Sequence, residues 1–125
     1  MKRKSVLIVD DSCTIREMVG YILKTINFDV LEAEDGVEAI FALSKYNPDL
    51  IVTDCNMPNI DGFELVKYVR GELGMKELPI LMLTTECSEE MKNRGRAVGA
   101  TGWVVKPFDP ERFITVVQKV CGMIK

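Results

Sequence analysis

The chain has 125 residues, 47% of them apolar and 28% charged, with a net charge of -3. Length and apolar content predict one domain over residues 1–125 with its own core, and no stretch is polar enough for a linker or tail. Mixed charge without a basic excess argues against nucleic-acid binding, and the complete lack of histidine removes the usual zinc sites and histidine catalysis together. No apolar run approaches a membrane span, and the Met1-Lys2-Arg3-Lys4 start leads into an apolar run too short for a signal peptide. A cytoplasmic monomer whose partners are proteins is expected. Its four cysteines, Cys13, Cys55, Cys87 and Cys121, are scattered without a CxxC and are expected to be reduced packing residues, with Cys55 partly exposed and oxidisable.

The first apolar run, Val6-Leu7-Ile8-Val9, reads as a strand. Ser12 is a candidate N-cap for a helix whose stripe is Ile15, Met18, Val19, Ile22, Leu23 and Ile26, ending near Asn27. A second strand is predicted from Phe28 to Ala33. Asp35-Gly36-Val37-Glu38 resembles a capping box opening a helix through about Lys45, and Pro48 starts a third strand containing Leu50-Ile51-Val52-Thr53. Asp61-Gly62-Phe63-Glu64 repeats the capping pattern before the next helix, and Pro79 enters a fourth strand, Ile80-Leu81-Met82-Leu83. Ser88-Glu89-Glu90 opens a fourth helix that Gly99 can cap, and Trp103-Val104-Val105 forms a fifth strand. Asp109-Pro110 opens a last helix with Phe113, Val116, Val117, Val120, Cys121 and Ile124 on one face. Regular strand-helix alternation with short connections calls for an α/β fold, a doubly wound parallel sheet of five strands covered by five helices. Strands that are continuously apolar are expected to be buried on both faces.

Polar residues follow these runs at their carboxyl ends: Asp10 and Asp11, Asp54, Thr84 and Lys106. Ligands of open α/β sheets bind outside those ends, so the five side chains are predicted to converge. Three carboxylates in one crevice repel unless a cation joins them or one is protonated, and magnesium, a hard ion that keeps a few oxygen ligands and its waters, is the natural occupant. Asp54, alone on its strand, is either a third ligand or a nucleophile that forms an acyl phosphate. The lysine and the hydroxyl favour the nucleophile, because phosphoryl transfer is stabilised by cations and donors placed around the equatorial oxygens.

Val9-Asp10-Asp11-Ser12, Asp54-Cys55-Asn56-Met57-Pro58 with Asp61-Gly62, Leu83-Thr84 and Val105-Lys106-Pro107-Phe108 together resemble the receiver domain of two-component response regulators, over the entire chain. The resemblance implies a flavodoxin-like (βα)5 fold with strand order 2-1-3-4-5. It implies that Asp54 accepts a phosphoryl group from a histidine kinase, and that Asp10, Asp11 and Asp54 hold Mg2+ with the backbone carbonyl of Asn56. It further implies that Thr84 and Lys106 contact the phosphoryl oxygens and that the Lys106-Pro107 bond is cis. The closest pattern is that of single-domain chemotaxis regulators, with Trp103 at the aromatic switch position and Asn56 and Glu86 at positions that tune dephosphorylation. Thr85 stands where that pattern usually has a small residue and Trp103 where it has tyrosine, and Thr84-Thr85-Glu86 with Gly102-Trp103 resembles a chemotaxis subtype. The implied partners are the kinase, a flagellar motor switch component as target, and a phosphatase.

With the receiver filling the chain, the output is expected to be a surface made by the fourth helix, fifth strand and fifth helix, without a DNA-binding or enzymatic domain. In the switch expected there, the Thr84 hydroxyl moves to the phosphoryl group and Trp103 then turns inward. The protein is expected to catalyse its own phosphorylation and dephosphorylation without being a turnover enzyme. A phosphorelay shuttle or phosphate sink uses the same site. An aspartyl-phosphate phosphatase is a weaker alternative, since it wants a second acid two residues after the nucleophile, where this chain has Asn56. A nucleotide-binding module lacks its GxGxxG or Walker loop.

Overall fold

The computed structural model describes residues 3–85 and 88–123, in which strands and helices alternate. The order is β1 (Lys4–Val9), α1 (Cys13–Lys24), β2 (Phe28–Ala33), α2 (Gly36–Leu43), β3 (Leu50–Asp54), α3 (Gly62–Gly71), β4 (Ile80–Thr84), α4 (Glu89–Val98), β5 (Gly102–Val105) and α5 (Pro110–Val120). The strands form one parallel sheet in the order β2-β1-β3-β4-β5, the predicted topology. No helix among the described residues is long and apolar enough to cross a membrane.

The strand period of two divides the core into two layers. Leu7, Val9, Ile51, Ile80 and Met82 point to one face, where they pack with Ala39 of α2 and with Phe63, Leu65, Val66 and Val69 of α3. Val6, Ile8, Leu50, Val52, Leu81 and Leu83 point to the other, against Val19 and Leu23 of α1 and Phe113 and Val117 of α5. Central strands are therefore dry on both sides, as predicted. The edge strand β5 is not: each of Gly102 to Val105 is only half-buried. An edge strand has one neighbour and less helix above it, which an apolar run cannot reveal.

Three boundaries and one cap differ from the sequence reading. Helix α1 stops at Lys24, since Asn27 takes a left-handed φ of 70° and turns the chain, although Ile26 still packs on the core. Helix α2 ends at Leu43, not near Lys45. Strand β3 begins at Leu50, because Pro48 has no N–H to give a ladder. At α2 the Asp35 side chain accepts from the Glu38 N–H, but Glu38 bonds the N–H of Glu34 and not that of Asp35, so the box is incomplete. The box at α3 is complete. Gly99 caps α4 at φ 103°, and Lys106-Pro107 is cis.

Candidate functional site

The sheet reverses winding direction between β1 and β3, and the crevice at their carboxyl ends is where the acids meet. Asp10 follows β1 directly and is 2% exposed, Asp11 begins the turn into α1 and is exposed, and Asp54 is the last residue of β3. One carboxylate oxygen from each lies within 4.8 Å of the others. From the far side of the sheet, the Lys106 ammonium reaches Asp10 Oδ2 at 3.0 Å and Asp54 Oδ1 at 3.7 Å. The reach is set by the ladder, which pairs Thr84 with Val105 and continues through a 2.7 Å bond from the Lys106 N–H to the Thr84 carbonyl.

Each acid is held differently. Asp10 Oδ1 accepts from the Ser12 N–H at 2.9 Å while its other oxygen takes the lysine. Burial pushes the Asp54 carboxyl above its ordinary 3.8, Lys106 pulls against that, Asp10 adds to the rise, and the N–H groups of Asn56 and Cys55 oppose it. Three carboxyl groups thus face one ammonium. A set of hard, anionic oxygens with charge left over fits Mg2+ better than any softer ion. Asn56 lies two residues past Asp54 in an exposed position, next to this cluster.

Thr84 is fully buried, and its hydroxyl shares a hydrogen bond with the Cys55 thiol. Cys55 itself has no exposed surface, and burial foremost pushes its thiol up to about 12, so the expectation of a partly exposed, oxidisable cysteine is overturned. The chain turns inward after Asp54, bonding the Cys55 N–H to the Leu83 carbonyl, and that carries the next side chain into the core.

Trp103, on β5, is half-buried, and its ring faces α3 and α4. It packs 6.4 Å from Phe63 by ring centroids and against Gly95 of α4, where an added Cβ would come within 3.2 Å of the indole. Its Nε1 is buried without a hydrogen-bond partner among the described residues. Glu86 lies outside the described residues.

Two contacts went unread in the sequence. Arg94 stacks 4.1 Å over the Phe63 ring and stands 3.8 Å from Asp61, tying α4 to the start of α3. Arg16 bonds the main-chain carbonyl of Asp10. Neither sits in a motif, and helical spacing alone assigns both to a solvated face.

A family model described as "Response regulator receiver domain" matches residues 6–118. The chain is 40% identical over 108 residues to chemotaxis protein CheY-3 of Vibrio cholerae, covering 86% of this chain and 83% of that one. It is 34% identical over 121 residues to the phosphate regulon transcriptional regulatory protein PhoB of Escherichia coli, covering 97% of this chain and 53% of PhoB. The crystal structure of Vibrio cholerae chemotaxis protein CheY4 superposes with a TM-score of 0.90 at 50% identity, over 95% of this chain and 99% of that one. With a match that runs from β1 into α5 and relatives that share both sheet and sequence, the chain belongs to the response regulator receiver domain family.

Proposed function

We propose that residues 1–125 act as a phosphorylation switch in which Asp54 is the acceptor. Its carboxylate oxygen attacks the phosphorus of a phosphohistidine on a histidine kinase. The P–N bond breaks, the imidazole leaves, and an aspartyl phosphate remains. The observation that carries this reading is the placement of Asp54 at the end of a buried strand, with acids of Asp10 and Asp11 within 4.8 Å and the Lys106 ammonium 3.7 Å away. Asp10, Asp11, Asp54 and the Asn56 carbonyl would hold Mg2+, which when bound neutralises the carboxylates and the incoming phosphoryl oxygens. Lys106 keeps Asp54 ionised for attack and then turns to a phosphoryl oxygen, leaving Asp10. The Thr84 hydroxyl leaves Cys55 to bond another of those oxygens, and this transfers the event to α4 and Trp103.

The changed surface is that of α4, β5 and α5, and similarity to the Vibrio chemotaxis proteins supports a chemotaxis target, such as a flagellar motor switch component, within the cytoplasm. Asn56 and Glu86 would then set how fast water removes the phosphoryl group. Acetyl phosphate, or a phosphorylated histidine kinase, should label the protein in Mg2+ and not in EDTA, and Asp54→Asn should remove labelling while keeping the fold. Undiminished, Mg2+-dependent labelling of the folded variant would sink the assignment.

A further inference from the structure

We infer that Arg16 is a positioning residue for the acid pair Asp10-Asp11, and that its loss weakens Mg2+ binding without unfolding the protein. The inference rests on the metal reading above and deepens it. Arg16 lies on α1 with its side chain 15% exposed. Nη1 donates to the main-chain carbonyl of Asp10 at 2.7 Å, and Nε donates to Glu32 Oε1 on β2 at 2.9 Å. The carbonyl it grips belongs to the Asp10-Asp11 peptide.

Asp11 is why that peptide matters. Its carboxylate makes no hydrogen bond or ion pair among the described residues, yet one of its oxygens sits within 4.8 Å of those of Asp10 and Asp54. Only the backbone can aim it there. The backbone is fixed before the peptide by the Asp10 N–H bond to the Ala33 carbonyl at 3.1 Å, and beside it by the Ser12 N–H on Asp10 Oδ1. Arg16 supplies the third restraint, at the carbonyl itself, and Glu32 holds the planar guanidinium in register.

Two effects of Arg16 on metal affinity oppose each other. A nearby cation repels Mg2+, while a fixed peptide presents Asp11 ready-made. Glu32 neutralises the guanidinium, so the repulsion is small. Groups that orient metal ligands are worth about 10–100-fold in affinity, and the low end suits a contact to a main-chain oxygen.

The test is calorimetric Mg2+ titration of the unphosphorylated protein, its Arg16→Gln, Arg16→Lys and Glu32→Gln variants, with thermal melts and amide hydrogen exchange in EDTA. Arg16→Gln should bind Mg2+ about tenfold more weakly, Glu32→Gln should fall between it and the parent, and Arg16→Lys should recover part of the loss. Exchange at the Ser12 amide, which bonds Asp10 Oδ1, should quicken in Arg16→Gln while β1 keeps its protection. Unchanged or tighter Mg2+ binding in a folded Arg16→Gln protein overturns the inference. If the parent itself fails to bind Mg2+, the metal reading falls separately, and unaltered exchange at Ser12 would overturn the positioning role on its own.

Discussion

The acid crevice and the α4–β5 face are built to opposite standards. Around the crevice, β1 and β3 are dry from Val6 to Val9 and from Leu50 to Thr53, and every acid stands on or next to a strand. Across the sheet, all of β5 is half-buried, and α4 buries only Gly95. Chemistry needs groups held to fractions of an ångström, which a close-packed centre supplies. A readout needs a part whose alternatives differ by little energy, and few buried contacts supply that. Among the described residues the buried indole N–H of Trp103 has no partner, which tilts the same way, since such a donor costs about 1–3 kcal/mol and offsets part of what the ring gains by burial.

The contrast can be broken by truncating one apolar side chain at the centre of the sheet and one at its edge. Leu81→Ala, in the fully buried β4, should cost about 2–5 kcal/mol in urea unfolding. Val104→Ala, on half-buried β5, should cost about 1 kcal/mol. Equal costs would mean that the edge is as firmly built as the centre.

Lys106 links the two regions, and its removal should cost nearly as much. In the metal-free protein Lys106→Met leaves Asp10 buried without its cation, a loss of about 3 kcal/mol. Mg2+ should restore more stability to this variant than to the parent, because the ammonium no longer competes for Asp10. A variant that melts with the parent in EDTA and gains no more from Mg2+ would remove Lys106 from the resting charge balance.

A smaller effect follows from the raised Asp54 carboxyl. A folded value above 3.8 adds stability that is complete below 3.8 and is lost as pH rises through the folded value. Without metal, Asp54→Asn, which cannot ionise, should therefore gain on the parent as pH climbs through that window. Parallel stability curves in EDTA would contradict it.

Gly95→Ala should change stability least. The helix gains about 1 kcal/mol from alanine, and the Cβ crowding the indole at 3.2 Å takes some of it back. The readout is Trp103 emission and quencher access, which should both move toward solvent. A variant whose fluorescence matches the parent would show the ring settled elsewhere.

The sequence made the site legible wherever a motif coincided with a strand end. Asp10, Asp54, Thr84 and Lys106 each close an apolar run, and a parallel sheet brings such ends together whatever the side chains do. Helix starts were equally readable at Ser12, Asp61, Ser88 and Asp109, since a cap is a local bond. The burial of Cys55 and the packing of Trp103 on α4 were not readable, whereas the strand order 2-1-3-4-5 already puts β5 at an edge. Each depends on a neighbour that no motif names: Thr84 for Cys55, and for Trp103 a glycine on α4 that periodicity counts only as a weak helix former. Arg16 belongs with these, because a charged side chain on a helix carries no sign that its guanidinium points at a carbonyl.

The most direct test of the central claim is the position of the phosphoryl group. The protein is incubated with acetyl phosphate and Mg2+, the aspartyl phosphate is reduced with borohydride to homoserine, and the peptides are mapped by mass spectrometry. Homoserine should appear at position 54 alone and vanish when EDTA replaces Mg2+. Modification at Asp10 or Asp11, or at Asp54 with no dependence on Mg2+, would contradict the account.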